Sequence, residues 1–146
     1  MEHPSPLLAP MVALILWSLA MMVWMYATRL PAMRRAGIVL KGRKGSRPGQ
    51  LDDILPPDVQ WKAHNYAHLM EQPTLFYAAV AALVLMGFDA WINVWIAWAY
   101  VGLRVAHSLV QSTSNLVPLR FALFLLSSLC LLSLGIHAAL FLWHHG

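Results

Sequence analysis

The chain has 146 residues, 60% of them hydrophobic and only 11% charged, against the roughly 25% charged residues of an average soluble domain. That balance excludes a soluble globular domain and points to a membrane protein. The formal charge of +4 comes mainly from one loop rather than from a nucleic-acid-binding motif, and the single cysteine, Cys130, allows no intrachain disulfide.

Residues 7 to 28 carry no charge over 22 positions, enough to cross a hydrocarbon core of about 30 Å. No basic residue precedes this run and its apolar core exceeds that of a signal peptide, so the expectation is a retained first span. Seven of the ten basic residues follow it, in RLPAMRRAGIVLKGRKGSRPG: Arg29, Arg34, Arg35, Lys41, Arg43, Lys44 and Arg47. The positive-inside rule places this basic loop, residues 29–60 of a single domain covering 1–146, in the cytoplasm. Both termini are then expected outside it, with a bacterial inner membrane as the expected location. The loop serves topology and attraction to anionic headgroups, or it gathers an anionic substrate; its glycines Gly42, Gly45 and Gly49 suggest flexibility. The PPD at 56 to 58 reads as a turn, with Asp58 as the expected N-cap of the next helix.

The apolar run at 74 to 88 is too short to span alone and does so only if its helix extends back through Pro73 and Glu71 to about Ala63. Within that extension HNYAHLMEQP puts His64, His68 and Glu71, and also Asn65, His68 and Gln72, on one broad helical face. Pro73 cannot donate to the carbonyl of Leu69, so a kink that opens a cavity is expected where the polar face begins. In the third span, residues 90 to 110, Arg104, His107 and Gln111 follow the same spacing, with Tyr100 one turn away. At 1.5 Å per residue both Glu71 and His107 fall about 25 Å below the outer boundary, so the two clusters are level. A Glu71–Arg104 pair is the expected way to neutralise them.

The polar faces fit either interhelical glue or a site for a small anionic ligand. The H-x-x-x-H-x-x-E pattern could ligate a metal, but no further strong ligand set stands out and no metal is expected. Trp91, Trp95 and Trp98 read as packing and interface anchors; Trp91 and Trp143 mark outer ends, and Trp24, Tyr26 and Trp61 inner ones. Residues 121 to 143 form the fourth span, whose Ser127, Ser128, Ser133, Gly135, Ala138 and Ala139 suit close helix contact, with Cys130 as a packing residue.

Four spans, a basic first loop, a second span carrying Glu71, and RVAHSLVQSTSNLVPLR with Arg104, His107, Pro118 and Arg120 resemble the MAPEG family, the membrane-associated proteins of eicosanoid and glutathione metabolism. The likeness runs from about Asp58 to Ala139 and is closest to the family's microsomal prostaglandin E synthases. It implies an all-α membrane four-helix bundle assembled as a homotrimer, in which glutathione is a cosubstrate activated toward hydrophobic small molecules. By that resemblance Arg120 is the catalytic residue that favours the thiolate, while Arg104, His107, Glu71, His68 and Gln111 bind the cosubstrate; membrane lipid is the other partner. The pattern departs from glutathione-using members at Ala67 and His68 (Arg-Asn), Gln111 (tyrosine), Leu116 (arginine) and Phe121 (serine). Because the family also holds a non-catalytic lipid-binding member, a non-enzymatic lipid-binding or scaffold protein is the alternative to a thiol-dependent transferase or peroxidase.

Overall fold

A computed structural model describes residues 3–39, 41, 42, 45, 47 and 49–145. Arg43 and Lys44 of the basic loop lie outside the described residues. The helices are α1 (Leu8–Arg35), α2 (Pro57–Leu69), α3 (Gln72–Leu85), α4 (Trp91–Ser112) and α5 (Val117–His145), with no strand among the described residues. Because α2 and α3 form one broken rod, the five segments make four rods of alternating direction.

Three rods, Leu8–Arg35, Pro57–Leu85 and Val117–His145, are long and apolar enough to cross a membrane, and the protein is multi-pass. The extension of the short second run into the polar HNYAHLMEQP is thus borne out. The fourth rod, α4, has 22 residues but is less apolar, because it carries the polar stripe. Its position accounts for that composition. It packs against α1, α2 and α5, and buries Asn93, Val94, Ala97, Tyr100, Val101, Arg104, His107, Ser108, Gln111 and Ser112 at helical spacing.

Two ends are set by the same local chemistry. After α1, Gly37 takes φ 69° and donates to the carbonyl of Arg34 at 3.1 Å, while Ile38 donates to that of Met33 at 3.0 Å. After α3, Gly87 takes φ 67° and the corresponding bonds run to Val84 and Leu83 at 3.0 and 2.9 Å. Both are Schellman closures, which need a residue tolerant of positive φ. Arg34 and Arg35 in the last turn of α1 complement its exposed carbonyls.

The described part of the basic loop is tied down rather than free. Met33, Leu55 and Val59 form a small core that Ala32, Ile38 and Leu51 complete. At the start of α2, Pro56 occupies the cap position without a side-chain bond and Asp58 lies in the first turn. The expected Asp58 cap is therefore corrected: Pro57, with φ preset for a helix, starts α2 two residues earlier than that cap would. Asp58 instead offers its backbone carbonyl to Lys62 Nζ at 2.8 Å.

The main core fills the half of the bundle away from that loop. Leu7, Leu14, Phe76, Val80, Leu83, Val94, Ala97, Tyr100, Val101 and Leu134 pack together, with Phe76 stacked on Tyr100 at 4.4 Å between centroids. In lipid such contacts hold by dispersion and close fit, since the surrounding acyl chains are as apolar as the core. His137 belongs to this end, where its Nδ1 meets Asn93 Oδ1 at 2.6 Å. The loop-facing half of the bundle is polar, and the site lies there.

Candidate functional site

The site begins with the break between α2 and α3. Pro73 has no N–H for the carbonyl of Leu69 and its ring crowds the preceding turn. The chain responds by tightening: Met70 donates to Ala67 at 2.9 Å and Glu71 to His68 at 3.4 Å, and Glu71 leaves the helical path at φ −90°, ψ −96°. The kink expected at Pro73 is present, displaced to Met70 and Glu71. Helix α2 consequently ends inside the bundle, with the Leu69 carbonyl deprived of its i+4 donor.

Arg104 of α4 meets that end. Its Nη2 donates to the carbonyl oxygen of His68 at 3.1 Å, and its guanidinium carbon lies 5.8 Å from the ring centre of Phe124 on α5. A cation at a helix C-terminus faces the negative end of the dipole and bonds one of its last carbonyls, and the ring adds cation–π attraction. The side chain is fully buried, yet Nε and Nη1 have no partner among the described residues. Those are costly groups to leave unmatched.

Glu71 does not bond Arg104, which corrects the expected pairing. The break turns its side chain outward, 66% exposed, where Oε2 accepts from His68 Nδ1 at 2.7 Å. The His68 carbonyl in the last turn of α2, which the Glu71 N–H also reaches at 3.4 Å, takes the guanidinium instead. The remaining polar groups of the two faces do meet: Asn65 Nδ2 donates to Ser108 Oγ at 2.7 Å, and Tyr100 reaches Gln72 Oε1 at 3.4 Å while Gln72 Nε2 donates to Ser128 Oγ at 2.7 Å. The level placement of the clusters, obtained by counting residues, is thus borne out.

A cavity of about 300 Å³ opens beside this arrangement, lined by His68, His107, Val117, Arg120, Phe121 and Phe124. The imidazoles of His68 and His107 lie 5.3 Å apart, with Phe124 stacked 5.5 Å from His68. Arg120 is fixed by Nη1, which donates to Asn115 Oδ1 at 2.6 Å; its Nε is buried without a partner among the described residues. Asn115 itself has φ 51° in the turn between α4 and α5, a conformation asparagine tolerates, and its N–H closes α4 on the carbonyl of Val110 at 2.7 Å.

His68, His107 and Arg120 therefore share one cavity, Arg104 stands behind its lining against Phe124, and Glu71 touches it through His68. Gln111 is buried on α4 but does not line the cavity, and its Oε1 has no partner among the described residues. His64 turns away to Asp52, 3.4 Å distant. The histidine–glutamate pattern thus does not converge, and among the described residues no three His, Cys, Asp or Glu side chains are set to hold a metal ion. Phe124, against Arg104 and His68, and Asn115, bonded to Arg120, are contacts the sequence did not single out; Phe124 stands four residues after Arg120, which puts both on one face of α5.

The family model described as the MAPEG family matches residues 7–140. No curated protein and no solved structure matches the chain.

Proposed function

Because the chain belongs to the MAPEG family, we propose that it is a glutathione- or thiol-dependent transferase or peroxidase acting on lipophilic substrates. The observation that carries the reading is a pair of arginines with buried, unpartnered N–H groups at the polar end of a membrane bundle: Arg120 Nε on the wall of one cavity, and Arg104 Nε and Nη1 behind its lining. Such donors fit a ligand rich in carboxylate and amide oxygens, as glutathione is. Bound there, glutathione would supply a sulfur nucleophile or reductant.

The residues then have separate tasks. Arg120, held by Asn115 on the cavity wall, places positive charge beside the sulfur and favours its thiolate. Arg104 and His107 bind the tripeptide, with Gln111 as a more distant contributor. His68 and Glu71 complete the wall. Val117, Phe121 and Phe124 give the electrophile an apolar approach from the lipid. In this reading the basic loop faces the cytoplasm with both termini outside, and the protein works as a homotrimer.

The test is turnover of glutathione with a chromogenic aryl halide by the detergent-purified protein. The R120A variant should lose about a hundredfold or more, the scale on which removing one charge-stabilising donor is felt. A second reading, a non-enzymatic lipid-binding protein, draws on Phe121 and Val117, which give the cavity apolar walls, and on Leu116 and Gln111 at positions where glutathione-using relatives of the resemblance are polar or aromatic. Absence of turnover together with no retention on immobilised glutathione would leave that second reading standing.

A further inference from the structure

His68 and Glu71 are joined by the shortest contact in the site between ionisable groups, and binding of a tripeptide gives that contact no specific task. Glu71 Oε2 accepts from His68 Nδ1 at 2.7 Å, which fixes both the tautomer and the plane of the ring. The neutral ring then carries its lone pair on Nε2, which makes no hydrogen bond among the described residues. The ring is further clamped by Phe124 at 5.5 Å and His107 at 5.3 Å, and it forms part of the same cavity wall as Arg120. A carboxylate orienting one imidazole nitrogen while the other faces a reaction cavity is the arrangement of a general base.

We propose that His68 is the proton acceptor of the reaction and Glu71 its positioning residue; this rests on the thiol-transferase reading above. In the step, Nε2 takes the thiol proton and the electron pair stays on sulfur, where Arg120 faces it. Sulfur forms its bond to the electrophilic carbon, the halide leaves with its own pair, and His68 passes the proton to water. The net products are thioether, halide and a proton. Glu71 stabilises the imidazolium between the two events. The charged and titratable groups around the ring are Glu71 at the break, Arg104 and His107 on α4 and Arg120 on α5, with Glu71 the one carboxylate among them.

The i, i+3 spacing already sets Glu71 beside His68 on a helix, and the tightened turn at Met70 and Glu71 keeps the two in contact where α2 ends.

The experiment is the pH profile of kcat/KM for glutathione and the aryl halide in wild type, H68N, E71Q and E71D. For H68N the expected result is a loss of about 10²-fold at pH 7, the low end of general-base contributions. Its profile should also move upward toward the thiol's own ionisation, about pH 8.5, a movement that a loss of binding alone would not produce. E71Q keeps the ring and should show the same upward movement, which E71D should reverse; this variant decides the matter if H68N does not fold. An active wild type whose profile is unmoved in H68N and E71Q overturns the base assignment while leaving the transferase reading intact. An inactive wild type overturns both.

Discussion

Arg104 sets the balance between stability and function. A guanidinium within a span costs about 2.5–3.5 kcal/mol even on the lenient insertion scale, and one charged hydrogen bond returns about 1.5–3 kcal/mol. The bond to the His68 carbonyl therefore offsets the charge only partly, and Nε and Nη1 stay unmatched. R104M keeps the volume and removes the orphans, so it should raise the thermal midpoint in detergent by a few degrees while added glutathione no longer raises it further. A lowered midpoint in R104M would show that the guanidinium stabilises the empty protein. Counting from the span ends was enough to place Arg104, His107 and Glu71 at one depth. It could not foresee that Arg104 would choose a backbone carbonyl over Glu71, because an acceptor in the last turn of a helix has no side chain to read. Gln111 lies off the cavity for a related reason: its spacing puts it on the buried polar stripe of α4, while the cavity is walled by α5 residues.

Among the elements, the broken α2–α3 rod has the most specific consequence. P73A restores an N–H for the Leu69 carbonyl and removes the ring clash, so the turn at Met70 and Glu71 should revert toward continuous helix. Amide exchange at residues 70–74 should slow, and turnover should fall by about tenfold, one factor of ten for each 1.36 kcal/mol of lost positioning. Unchanged exchange across this segment would mean that packing, rather than the proline, fixes the break. The rods themselves were legible from their apolar runs. Their ends were less so, because Schellman closure at Gly37 and Gly87 and the start at Pro57 are decided by single residues whose alternatives, such as an Asp58 cap, look equally good as letters.

For the whole molecule, the decisive property is the opposition of a dry half built on Leu14, Phe76, Val80, Leu83 and Leu134 to a polar half that faces the basic loop. Single cysteines at His3 and Arg47 in a C130A background should label from opposite sides of sealed vesicles, since α1 lies between them. Labelling from one side would rule out α1 as a span. The asymmetry of burial also bears on how the protein is made. α4 carries Asn93, Tyr100, Arg104 and Gln111 on its buried face and is the one rod not apolar enough to qualify as a span by itself. A translocation channel offered α4 alone would meet an unpaired guanidinium and retain it poorly. Its acceptor, the His68 carbonyl, is synthesised some 36 residues earlier, and Phe124 arrives about 20 residues later. Stable membrane insertion of α4 is therefore expected to require the helices on either side of it in the sequence.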